Sequence, residues 1–298
     1  MVPNPVLRKL GFGDGERVAI IHTDDIGMCQ ASLSALADLV DFGLISSAAT
    51  MVPCPWFPQV AAFCRQHPQV DMGVHLTLTS EWTSYRWGPI STRDPASGLM
   101  DEEGYFYRRV EDVQDHGDPA AVRLELQAQV ERALAAGIDV THVDTHMGTV
   151  AHAKFASAYT QVALQYHLPF MALRLDEAGW RAMGLGGETA ASLALSVRQL
   201  EAQGLPLFDR VAALPLNRPA DRVEQAKQTF DALPPGLTHF VIHPAQDTPE
   251  LRAIAADWPS RVADYQAFTS DDLRDYIRNC GVRVIGYRAL RDLMPSSG

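Results

Sequence analysis

The sequence predicts an α/β protein folded as one (β/α) barrel, TIM-like with room for irregularity, of about seven or eight parallel strands. Short β-rich runs alternate with longer amphipathic stretches, the rhythm of successive βα units. No repeat, low-complexity tract or linker interrupts residues 1–298, so a single domain is expected, and at 47% hydrophobic content the chain can bury a barrel-sized core. The competing architecture, an open doubly wound sheet that binds a dinucleotide, would show G-x-G-x-x-G after its first strand, and none is present.

The first candidate strand, 17–23 (RVAIIHT), runs directly into two adjacent acids, Asp24 and Asp25. Candidate strands follow at 47–51, 71–78, 138–144, 170–175, 209–213, 237–243 and 282–286. Helical patterns cover 31–42, 55–66, 119–136, 153–167, 188–203, 221–233 and 271–280. In 119–136, Val122, Leu126, Val130 and Leu134 recur every four residues and predict one apolar stripe. Residues 79–118 break the rhythm. They hold Trp82, Tyr85, Trp87, Tyr105, Phe106 and Tyr107 without periodicity, and would form an aromatic-rich insertion loop after the third strand, on the face where a barrel carries its site.

A net charge of −11 disfavours nucleic acid and anionic membranes as partners, since both are bound through excess Lys and Arg. No stretch reaches the roughly 18 apolar residues of a membrane helix, and the N-terminus lacks a signal-like apolar region. Four cysteines without a C-x-x-C pair suit a reducing cytoplasm and read as small buried hydrophobes.

Strand ends converge on one rim of a barrel, and four of them here carry His or Asp. Asp25, His75 and His146 make a three-ligand set of two imidazoles and a carboxylate, which leaves coordination positions open on a catalytic metal ion. A dication would offset the repulsion between Asp24 and Asp25, and Asp24 could then take a proton from a water at the same ion. Successive strand residues face opposite ways, so the backbone must turn between the two acids, and Gly27 would permit that. The alternative use of the pair is an Asx turn or N-cap for the 31–42 helix. In "THVDTHMGT", His142, Asp144 and His146 share a face. Asp144 is a candidate to orient a ligating imidazole, and His142, one layer deeper, is expected to be structural. His243, in "VIHPAQD", suits proton donation to a leaving amine.

The four motifs "TDDIG", "GVHLTL", "THVDTHMGT" and "VIHPAQD" resemble, in order and spacing, those of the YdjC-like carbohydrate deacetylases, the family of chitooligosaccharide and hopanoid-associated sugar deacetylases. The resemblance implies an irregular (β/α) barrel that removes an N-acetyl group from an amino sugar or oligosaccharide, with one divalent ion, Mg2+ or Zn2+. By position it implies Asp25, His75 and His146 as metal ligands, Asp24 as general base and His243 as general acid. Arg174 would orient an acid or bind substrate, and Trp82 and Trp87 of the insertion loop could meet the sugar. A homodimer is admitted. The chain departs from the family in reading Met147 and Gly148 where many members have Gln-His, and Ala245 where Gly follows His-Pro.

Rival functions fit less well. A sugar isomerase or aldolase on the same barrel would need a Lys or Glu base at a strand end, and an amidohydrolase-type barrel would show H-x-H on its first strand. A non-catalytic carbohydrate-binding protein would not need acid, base and three ligands together.

Overall fold

The computed structural model describes residues 3–295. Seven parallel strands form its sheet: β1 (Arg17–Ile26), β2 (Ser47–Thr50), β3 (Met72–Leu76), β4 (Val140–Thr145), β5 (Arg210–Ala213), β6 (Gly236–Ile242) and β7 (Val282–Val284). From Val18 to its end β1 is buried, its apolar first half and its polar second half, His22 to Asp25, alike. The order is β4-β3-β2-β1-β6-β5, and β7 pairs with the first residues of β1, Arg17 to Ala19, below the point where β2 begins to pair at His22.

The expected strand at 170–175 does not form. That segment makes two single parallel bridges, Val143 with Phe170 and Leu173 with Phe208, which link the β4 edge to the chain just ahead of β5. The barrel is thus closed by isolated bridges on one side, and this is its irregularity. Each expected helix is present with ends moved by no more than three residues, from Gln30–Phe42 to Asp271–Asn279. Trp258–Phe268 forms a further helix that sequence periodicity did not reveal. In Pro119–Ala135, Val122, Leu126 and Val130 are buried but Leu134 is 42% exposed. A step of four residues overshoots the turn by about 40°, so after three steps the stripe has rotated out of the interface and Ala133 takes the buried place.

The barrel interior is filled below the rim. His142 stacks on Tyr287 at 3.6 Å, and the Tyr287 hydroxyl meets His239 Nδ1 at 3.0 Å. Burial and the neighbouring His22 charge lower the pKa of His142 well below the ordinary histidine value, which keeps this ring neutral. His142 is structural, as the sequence suggested. Gly73 on β3 makes room for it, since a Cβ there would lie 2.4 Å from the imidazole. Gly73→Ala should therefore lower stability by about 1–3 kcal/mol through overpacking, measured as a fall in the urea midpoint at unchanged slope.

Candidate active site

The turn between the two acids sits on Asp25 itself. Its φ is +61°, a left-handed value unusual outside glycine, and Gly27 follows at +89°. The β1–β2 register slips between Thr23 and Ile26, so both carboxylates reach the same space at the C-terminal end of the strand. The capping alternative is not realised: Cys29, not either acid, is the N-cap residue of Gln30–Phe42, and the carboxylate that accepts from the Gln30 N–H is that of Glu250, at 3.3 Å.

Asp25 Oδ1 lies 3.3 Å from His75 Nε2 and 3.1 Å from His146 Nδ1, and these two nitrogens are 3.3 Å apart. All three side chains are buried. His75 stands opposite Asp144 in the β3–β4 register, and its Nδ1 is 2.8 Å from Asp144 Oδ1. His146 Nε2 is 3.1 Å from Glu81 Oε2. Each imidazole thus turns its outer nitrogen to a carboxylate and its inner nitrogen to Asp25. That is how a ligating histidine is held. Ligands about 2.0–2.1 Å from a tetrahedral ion are about 3.3 Å apart, and about 2.9 Å apart around an octahedral one. The observed triangle falls between, Asp25 Oδ1 has no hydrogen-bond donor, and the three residues could hold a metal ion.

Asp24 Oδ2 lies 3.8 Å from His75 Nε2 and 3.7 Å from His243 Nε2. Burial opposes ionisation of Asp24, but His75 and His22 outweigh it and hold the carboxyl below its usual range. The backbone N–H of His243 donates to Asp264 Oδ2 at 2.9 Å, and Asp264 Oδ1 is 2.7 Å from Arg222 Nε, which fixes the strand end that carries the imidazole. Burial also works against the charged imidazoles, and the carboxylates outweigh it: Glu81 and Asp25 raise His146 to about 9, while Asp144 and Asp24 raise His75 well above its ordinary value.

Three groups at this site escaped sequence reasoning. Arg261, on Trp258–Phe268, places Nη1 2.7 Å from Asp25 Oδ2 and lies over the Trp82 ring at 5.6 Å. Proline in the first turn of that helix was its available signal. Glu81 was hidden in the aperiodic insertion loop. His22 shares a strand face with Asp24 by the period of two, which was the available sign of it. Of the residues expected near substrate, Trp82 is half-buried against Arg261, whereas Trp87 is buried, with its indole N–H donating to the Thr79 carbonyl at 2.8 Å. Arg174 is not brought to the acids of the rim. It pairs with Glu201 and Asp209 beside the start of β6, the opposite end of the barrel.

Fold and site together define a distorted (β/α) barrel with an Asp-His-His candidate metal centre on its C-terminal rim. Residues 18–279 match the model of the YdjC-like proteins, and the chain belongs to that family. It is 34% identical to a carbohydrate deacetylase of Thermus thermophilus, over 97% of this chain and 99% of that protein. A carbohydrate deacetylase of Thermoanaerobacter pseudethanolicus is 23% identical over 91% of this chain and 98% of its own length. The same fold occurs in the crystal structure of a candidate cellobiose-phosphate cleavage protein from Enterococcus faecalis V583, with a TM-score of 0.76, 22% identity and coverage of 92% of this chain and 99% of that one.

Arg261 outweighs the cost of burial and, with His146, holds the Asp25 carboxyl well below the usual carboxylate range. In metal-free protein near pH 7, Arg261→Met should cost about 3–5 kcal/mol by removing the cation shared by buried Asp25 and by Asp257, and adding Asp25→Asn should recover part of it. A depressed native pKa contributes stability above about pH 3.9 that is lost as pH falls through the native value, so the gap between wild type and Arg261→Met should narrow in acid. Chemical denaturation across pH measures both effects.

Proposed function

We propose that this chain is a metal-dependent carbohydrate N-deacetylase, which hydrolyses the acetamide of an N-acetylated amino sugar or oligosaccharide. The observation that carries the reading is the pair of imidazoles, each with its outer nitrogen on a carboxylate and its inner nitrogen facing Asp25. Family membership and the relatives named carbohydrate deacetylase support the substrate class.

Asp25, His75 and His146 would hold one divalent ion, Mg2+ or Zn2+. When bound there it supplies Lewis-acid polarisation of the acetyl carbonyl and a lowered water pKa. Asp24, ionised and with Oδ2 between His75 and His243, takes the proton as the water oxygen attacks the carbonyl carbon. The C–N bond then breaks as His243 donates a proton to the departing nitrogen, giving acetate and a free amine. Asp144 and Glu81 hold His75 and His146 in orientation. Arg261 neutralises Asp25 from the side away from the histidines. Trp82, tied to the same guanidinium, would face the sugar at the mouth. The residues beside His146 that depart from the family are Met147, which is 48% exposed, and Gly148.

The protein would act as one domain, in a reducing cytoplasm that suits its four free cysteines. Among the described residues no helix is long and apolar enough to cross a membrane. Purified protein should release acetate from N-acetylated chitooligosaccharides and lose that activity to a chelator. Asp24→Asn should retain metal while kcat falls at least about 100-fold. Binding of the sugar without acetate release would replace the enzyme reading with that of a carbohydrate-binding module, and near-normal rates in Asp24→Asn would remove Asp24 as the base.

A further inference from the structure

His22 lies below the rim, fully buried, and has no place in the chemistry described above. Its Nε2 is 2.8 Å from Asp144 Oδ2 and 3.1 Å from Asp24 Oδ1, so one ring nitrogen contacts two carboxylates. These strands are not neighbours: β1 and β4 are separated in the sheet by β2 and β3, and the contact crosses the barrel interior. On the other side of the ring, Nδ1 is 3.0 Å from the Ser47 hydroxyl, and that hydroxyl faces the Asp71 carbonyl at 3.5 Å.

These partners constrain the protons. A carbonyl accepts only, so the Ser47 hydroxyl can give its proton to Asp71 and present a lone pair to Nδ1–H, or it can donate to Nδ1 over the shorter 3.0 Å contact. Two carboxylates also accept only, so Nε2 carries a proton. Two carboxylates on one nitrogen favour an imidazolium, placed between two acids that each have a second task. Asp144 uses Oδ1 to hold His75, and Asp24 leaves Oδ2 facing His243. Burial alone would discharge the ring, but Asp144 and Asp24 outweigh it and raise its pKa to about 9.

We propose that His22 is a positioning residue, a buried cation that clamps Asp24 Oδ1 to Asp144 Oδ2 and thereby fixes both the base and the carboxylate that orients His75. The four side chains His22, Asp24, Asp144 and His239 are also close enough to hold a metal ion. The spacing favours a proton over a tetrahedral ion. At 2.8 Å, the ion-pair contact of His22 Nε2 with Asp144 Oδ2 is closer than the roughly 3.3 Å between ligands of a tetrahedral ion, and only an octahedral ion, with ligands about 2.9 Å apart, would match it. His239 Nδ1 is in addition engaged by Tyr287.

The proposal rests on the deacetylase reading for its kinetic consequence but not for the state of the ring, so two experiments separate them. In the first, long-range nitrogen–proton NMR of metal-loaded wild type near pH 7.5, assigned by comparison with His22→Asn, should show both His22 ring nitrogens protonated. A neutral ring would overturn the clamp whether or not the protein is an enzyme. In the second, His22→Asn should lower kcat about 100-fold with KM and bound metal within twofold of wild type, and should change kcat less than threefold when introduced into Asp24→Asn. Equal losses on both backgrounds would reduce His22 to a packing residue. A second equivalent of metal that disappears in His22→Asn would make it a ligand instead. If His22→Asn does not fold, His22→Gln, which keeps one N–H, carries the same comparison. Failure of wild type to release acetate would count against the deacetylase reading alone, with the NMR result still deciding the clamp.

Discussion

Three carboxylates, those of Asp24, Asp25 and Asp144, are buried within a few ångströms of one another, and the rest of the site follows from keeping them ionised there. An isolated buried carboxylate would take up a proton rather than bear its desolvation cost. Each of the three instead has its own cationic or proton-donating neighbour: Arg261 for Asp25, His22 shared by Asp24 and Asp144, and His75 between all of them. The triangle of Asp25, His75 and His146 is where a dication would complete this balance. In the proposed mechanism, stability and catalysis therefore draw on the same charges.

The fold places those charges by register more than by local sequence. β3 and β4 align so that His75 meets Asp144, while the slip in β1 and the left-handed turn at Asp25 bring two consecutive acids to one side. The filled interior of His142, His239 and Tyr287 supports them from below. The insertion loop works from above: Glu81 reaches the second nitrogen of His146, and Trp82 covers the guanidinium that pairs with Asp25. His146 and the Asp25–Arg261 pair are thus linked through adjacent residues of one loop.

Much of this was legible in the sequence because the barrel converts strand ends into a rim. Asp24, Asp25, His75, His146 and His243 each follow an apolar run, and the period of two separates His146 from the deeper, structural His142. What was hidden depends on tertiary placement. Arg261 belongs to a helix without a clear apolar stripe, Glu81 to a loop without periodicity, and the partner of His22 lies across the barrel on a strand that is not its neighbour. The segment 170–175 has β propensity but finds only single bridging partners, so it closes the barrel without becoming a strand. Arg174, read as a rim residue from that segment, consequently lies at the other end with Asp209.

The central claim is that the metal belongs to Asp25, His75 and His146 and that His22 does not share it. Anomalous diffraction from crystals of the zinc-loaded protein tests it most directly. The account predicts one zinc peak within coordination distance of Asp25 Oδ1, His75 Nε2 and His146 Nδ1. A peak bounded by His22, Asp24 and Asp144, or acetate release that persists in crystals with no peak at either place, would contradict it.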